Sequence, residues 1–275
     1  MIYGTHFHEV ELLEAISVFE QNNNVKVIAA SIGGSVSIGL SNNTSDYDVY
    51  FLYENGNAPL FQKLRLEKYS KSIDCWSDCF SNCISECKTF FYSHKDFPTI
   101  LTRGLNEKAD DVKFGLLCSI FLTDSFFLCD LFFEEKYESV KSLFYIREIC
   151  DYWYSRAYGN YYKFIKNHEK VNLRKYLYTV WQCLYMHRCL EEKRAPVQDF
   201  LLLLNASKDI LDSNIEIIVK NLFELNKNSS VSKEDNFVAI SIELDSWIEK
   251  NLKVIENKIK QFDDTKLLLV FEVVR

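Results

Sequence analysis

Asp46 and Asp48 stand two residues apart, between the Ser/Asn-rich stretch 41–45 and the apolar run 49–53. In an extended chain, residues i and i+2 point to the same side, so this spacing would present both carboxylates to one site. Paired hard oxygen donors suit Mg²⁺, with Mn²⁺ as a substitute, because such ions keep several waters and share the phosphates of a substrate. Upstream, Gly33-Gly34-Ser35 follows the apolar segment 25–32. A glycine turn entering a helix would offer backbone N–H groups and a hydroxyl to a nucleoside triphosphate, with ATP the first expectation. A third carboxylate is wanted to hold two metals and to draw a proton from an attacking hydroxyl. Asp74, at the end of a candidate third strand, is the expected one. Together these groups would support attack of a hydroxyl on an α-phosphate with loss of pyrophosphate.

Positioning them requires a sheet, and the local signals supply one. A helix is expected over 8–20, followed by buried strands at 25–32 and 48–53 and a third strand at 64–74. From about residue 76 the apolar period becomes helical. Helices are expected at 76–93, 106–122, 134–166, 171–193, 208–225 and 242–261, with a break inside the 134–166 stretch. The polar stretch 226–235 reads as a loop. The expected chain is therefore α+β, with a small α/β unit over residues 1–95 and a mainly helical unit over 96–275.

Composition narrows the functional classes. With 275 residues, 48% hydrophobic and 26% charged, eight glycines and three prolines, the chain can bury a large core and is neither disordered nor collagen-like. Thirty-two Lys and Arg against 39 Asp and Glu give a net charge of -7, so no whole-chain field attracts nucleic acid. The start MIYGTHFHEV lacks the basic and apolar regions of a signal peptide, and no 18-residue apolar run follows. A cytoplasmic protein with no membrane partner is expected, and its nine cysteines are expected to be thiols. Cys75, Cys79, Cys83 and Cys87 recur every four residues; on a helix each step drifts about 40°, giving a slanting stripe buried against the sheet instead of a tetrahedral cage. His187 reads as structural. Tyr152, Trp153, Tyr154, Tyr158, Tyr161 and Tyr162 suit a core, with those near Asn160 the better candidates for base contact.

The block Gly34-Ser35, Gly39 and Ser45-Asp46-Tyr47-Asp48 resembles the signature of the DNA polymerase beta superfamily of nucleotidyltransferases. Arg156-Ala157, Asn160-Tyr161, Arg174-Lys175-Tyr176-Leu177-Tyr178, and Pro196-Val197 before Phe200 resemble the helical half of a bacterial subfamily of predicted nucleotidyltransferases. That subfamily includes RNA-repair-associated members, and the resemblance spans roughly residues 25–205. It implies a mixed-sheet catalytic domain in which Asp46 and Asp48 hold metal, Gly34 and Ser35 contact phosphate and Asp74 is the third acid. It also implies a helical half that closes over the nucleotide, with Asn160, Lys163, Lys175 and Tyr178 facing the cleft. The lysines would meet phosphate charge and Tyr178 the base. Relatives commonly carry a basic residue after the Gly-Ser pair, where this chain has Val36, and an arginine near the position of Trp181. Losing such charges removes several kcal/mol of charge-assisted contact. The implied function is metal-dependent transfer of a nucleoside monophosphate to a hydroxyl acceptor, an RNA end or a protein. Two alternatives stay open: a catalytically degenerate regulatory protein that binds nucleotide or a partner, and an antibiotic nucleotidyltransferase acting on a small molecule. Oligomeric state is left open.

Overall fold

The computed structural model describes residues 26–42, 45, 47–54, 87–93, 126–129, 146–230 and 236–262, with Leu13, Ser17, Glu20 and Gln21, all four helical. For 26–32, 47–54, 87–93 and 126–129 it describes the backbone alone. The chain divides into two compact units, one of Met1–Ser37 with Ser45–Ser139, the other of Ile38–Thr44 with Val140–Arg275. The expected boundary near residue 95 falls outside the described residues.

The first unit holds a four-stranded mixed sheet. Strand β1 (Lys26–Gly33) is a run of β-branched and small residues stopped by two glycines. Helix α1 (Gly34–Ser37) is a single turn, and β2 (Tyr47–Glu54) follows it. Strands β3 (Cys87–Ser93) and β4 (Phe126–Cys129) complete the sheet in the order β3-β2-β1-β4. β1 pairs antiparallel with both β2 and β4, whereas β2 and β3 run parallel.

β3 corrects the expected helix over 76–93. The segment CKTFFYS carries the Thr and aromatic residues that suit a pleated surface, and the open side of β2 supplies its partner. Cys87 is thus a strand residue, and the helical cysteine stripe does not extend to it. Cys75, Cys79, Cys83, the expected strand 64–74 and the expected helix 106–122 lie outside the described residues.

The second unit is mainly helical. It contains α2 (Ile146–Phe164), the short strand β5 (Lys170–Asn172), α3 (Leu173–Glu192), α4 (Phe200–Ala206), α5 (Ser213–Lys227), β6 (Phe237–Ala239) and α6 (Ile242–Gln261). β5 and β6 form an antiparallel pair. Four helices start at polar caps: Asn172, Asp199, Asp212 and Ser241 each accept a hydrogen bond from the backbone N–H three residues on. α3 is buried over most of its circumference and packs against α2, α4, α5 and α6. Trp181, Tyr161, Tyr176, Tyr185 and Phe200 are the largest fully buried side chains. Cys150, Cys183 and Cys189 are buried thiols, and burial pushes the Cys183 thiol up. No described helix is long and apolar enough to cross a membrane.

Candidate active site

The register of β1 against β2 sets Gly33 directly opposite Asp48. Antiparallel partners have α-carbons about 4.5–5.5 Å apart. β1 therefore ends, and the glycine turn begins, at the end of the sheet where β2 starts. Gly34 has φ 61°, a left-handed conformation open to glycine at no steric cost. The hydroxyl of Ser37 closes the turn by donating to the Gly34 carbonyl at 3.0 Å. Ser35 and Val36 are buried, at 5% and 3% exposure. Any basic side chain placed at position 36 would start from a buried α-carbon.

Asp48 is the second residue of β2 and is described by its backbone; Asp46 and Asp74 lie outside the described residues. Among the described residues no group of three His, Cys, Asp or Glu side chains could hold a metal ion. None of the three aspartate side chains belongs to that set. As a donor set, two carboxylates two residues apart in the chain fit a hard divalent cation.

The parallel pairing of β2 with β3 sets Tyr47 beside Cys87 and Asp48 beside Lys88. In the chain, Asp46 precedes Tyr47 and Glu86 precedes Cys87; both lie outside the described residues.

In the helical unit, Lys163 and Lys175 converge on one aromatic ring. The Nζ atoms of Lys163 and Lys175 lie 5.1 Å and 2.9 Å from the centroid of Phe164. Burial, and then the charge of Lys163, push the Lys175 pKa down. Among the described residues no carboxylate pairs with either lysine. Asn160 sits one turn before Phe164 on α2 and Tyr178 one turn after Lys175 on α3, both half-buried.

The aromatic residues divide. Tyr152 and Tyr161 are buried, and Tyr161 donates to Glu249 Oε2 at 3.4 Å. Trp153 packs edge-on against Trp181 at 5.0 Å, inside the core. Tyr158 and Tyr162 are exposed and lie ring to ring at 4.3 Å. Trp181 is stacked on Tyr185 and donates to the Gln198 carbonyl at 2.7 Å, a structural role. His187 is buried and bonded to Asn251, also a structural role.

No protein-family model matches this chain, and no curated protein matches it. Among solved structures the chain is similar to a crystal structure of spectinomycin adenyltransferase AAD(9) from Enterococcus faecialis with ATP and spectinomycin. The TM-score is 0.43 at 7% identity, over 93% of this chain and 100% of that one. A likeness of that size carries no argument about this chain.

Proposed function

We propose that this chain is a nucleotidyltransferase of the polymerase beta type, moving a nucleoside monophosphate from a nucleoside triphosphate to a hydroxyl acceptor. The observation that carries the reading is the β1–β2 register: Gly33 stands opposite Asp48, so the Gly34-Ser35 turn and the aspartate pair share one end of one sheet.

In this reading Gly34 and Ser35 contact phosphate, and Asp46 and Asp48 hold Mg²⁺. A cation held there would neutralise phosphate charge and make the acceptor hydroxyl more acidic. The acceptor oxygen bonds to the α-phosphorus, the bond to the β-phosphate oxygen breaks, and pyrophosphate leaves with that electron pair. A carboxylate takes the hydroxyl proton. Asp74 and Glu86 are the two candidates, Glu86 because it precedes the strand that pairs with β2. Lys163 and Lys175 are the candidate phosphate contacts of the helical unit, and Asn160 and Tyr178 its candidate nucleoside contacts. The net charge of -7 favours a small cationic acceptor, as in antibiotic modification, over an RNA end, because an acidic protein attracts amines and repels phosphates.

The test incubates the purified chain with Mg²⁺ and each α-³²P-labelled nucleoside triphosphate, offering RNA, protein and aminated small molecules including spectinomycin. Label should move to one acceptor class with wild type and not with Asp46→Ala or Asp48→Ala. Of Glu86→Gln and Asp74→Asn, the variant that loses label while still binding nucleotide identifies the proton acceptor. Transfer that survives both Asp46→Ala and Asp48→Ala would sink the reading. Nucleotide binding without transfer in wild type would replace it by the degenerate binding protein that the buried Val36 favours.

A further inference from the structure

Between the glycine turn and the aspartate pair the chain leaves the sheet unit: residues Ile38–Thr44 belong to the helical unit. There the segment is gripped by three helices. At the start of α4, Phe200 N donates to the Ile38 carbonyl at 2.8 Å. From the last turn of α5, Asn226 Nδ2 donates to the Leu40 carbonyl at 2.9 Å, and its own carbonyl accepts from Asn42 Nδ2 at 3.3 Å. From the first turn of α3, Arg174 Nη2 donates to Asn42 Oδ1 at 2.6 Å. Ile38, Leu40, Arg174 and Asn226 are all buried. A connection between adjacent antiparallel strands normally runs over its own sheet as a short exposed loop. This one spends its middle inside another unit, fastened through buried polar groups whose bonds are costly to leave unmade.

Asn42 lies four residues before Asp46 in the chain, and Ile38 three after Ser35. We propose that Arg174 and Asn226 are positioning residues that hold the Ile38–Asn42 segment and thereby place the phosphate-and-metal motif on either side of it. The consequence for catalysis rests on the nucleotidyltransferase reading; the latch itself does not. Both residues act through the loop and neither touches the reacting atoms.

The test measures backbone amide exchange of the full chain in peptides covering 38–48, with parallel kinetics of transfer. Arg174→Ala and Asn42→Ala should each speed exchange over 41–48 while the α6 peptides keep wild-type protection. The two changes together should be less than additive, because they share the Arg174–Asn42 bond, while Asn42→Ala also loses the bond to the Asn226 carbonyl. KM for the Mg²⁺–nucleotide should rise roughly tenfold in each, and Arg174→Lys, which keeps a donor, should recover part of it. Exchange over 41–48 unchanged in Arg174→Ala overturns the proposal. So does an activity loss that tracks only the fraction of folded protein, with KM unmoved. If wild type transfers no nucleotide but the exchange pattern appears, the latch stands and the nucleotidyltransferase reading fails.

Discussion

Gly39 meets Asp199 so closely that a β-carbon on Gly39 would lie 2.7 Å from Asp199 Oδ2. Gly39 also has φ +73°, so two independent constraints call for glycine. This glycine, part of the block that resembles a nucleotidyltransferase signature, is held by packing inside the helical unit. Gly39→Ala should cost about 1–2 kcal/mol from the left-handed backbone alone, and more from the overlap with Asp199. Gly39→Ala with Asp199→Ser, which keeps a capping hydroxyl and withdraws the clashing oxygen, should recover part of the loss. Urea unfolding followed by tryptophan fluorescence reads both, and a wild-type midpoint for Gly39→Ala would refute the packing argument.

The Lys163 charge should help to hold the Lys175 pKa down. Burial and the Lys163 charge hold the Lys175 pKa below 10.5, so Lys163→Met should move it upward. The pH profile of Lys175 acylation, read by peptide mass spectrometry, should shift to higher pH in that variant. Nucleotide affinity should fall about tenfold or more for Lys163→Met and for Lys175→Met, the size of a charge-assisted hydrogen bond. An unmoved acylation profile would mean that the two ammonium groups do not sense each other.

His187 should make stability fall with acidification. Asn251 Nδ2 donates to the Trp247 carbonyl at 2.8 Å, which leaves Asn251 Oδ1 to accept from His187 Nε2 at 2.7 Å. Burial holds the His187 pKa below 6.5, and Nδ1 is buried without a hydrogen-bond partner. The unfolded chain therefore takes up a proton near pH 6.5 that the folded chain refuses. Its contribution is complete above that pH and is lost as the pH falls below it, by up to about 1.4 kcal/mol per pH unit. His187→Gln, which keeps a donor for Asn251, should flatten this slope in urea titrations between pH 5 and 7; an identical slope would assign the effect to other groups.

Placing an arginine at position 181 should destroy the fold. Trp181 is 1% exposed, stacked on Tyr185, and bonded to the Gln198 carbonyl. Trp181→Phe should lose about 1–3 kcal/mol by removing that buried hydrogen bond. Trp181→Arg adds a buried, unpaired charge and should give a chain without a cooperative thermal transition. A wild-type melting temperature for Trp181→Arg would show that the pocket can open.

Several elements are legible from local chemistry. β1 and β2 announce themselves as apolar runs bounded by Gly33-Gly34 and by Asp48, and α6 by Ser241 and its regular period, which places it at Ile242–Gln261. β3 is not legible that way. Cysteines four apart imitate a helical period, and the seven residues Cys87–Ser93 become a strand because β2 offers them a parallel edge.

By itself, then, the sequence determined the groups that could do chemistry and the α+β class, because those depend on composition and on neighbours along the chain. Tertiary structure alone decided that Gly33 faces Asp48, that two lysines share the Phe164 ring, and that Arg174 and Asn226 hold Asn42 across 132 and 184 residues. Such pairings arise where helices and strands pack, and the strength of a hydrogen bond between two buried groups says nothing in advance about which distant residue will be brought to make it.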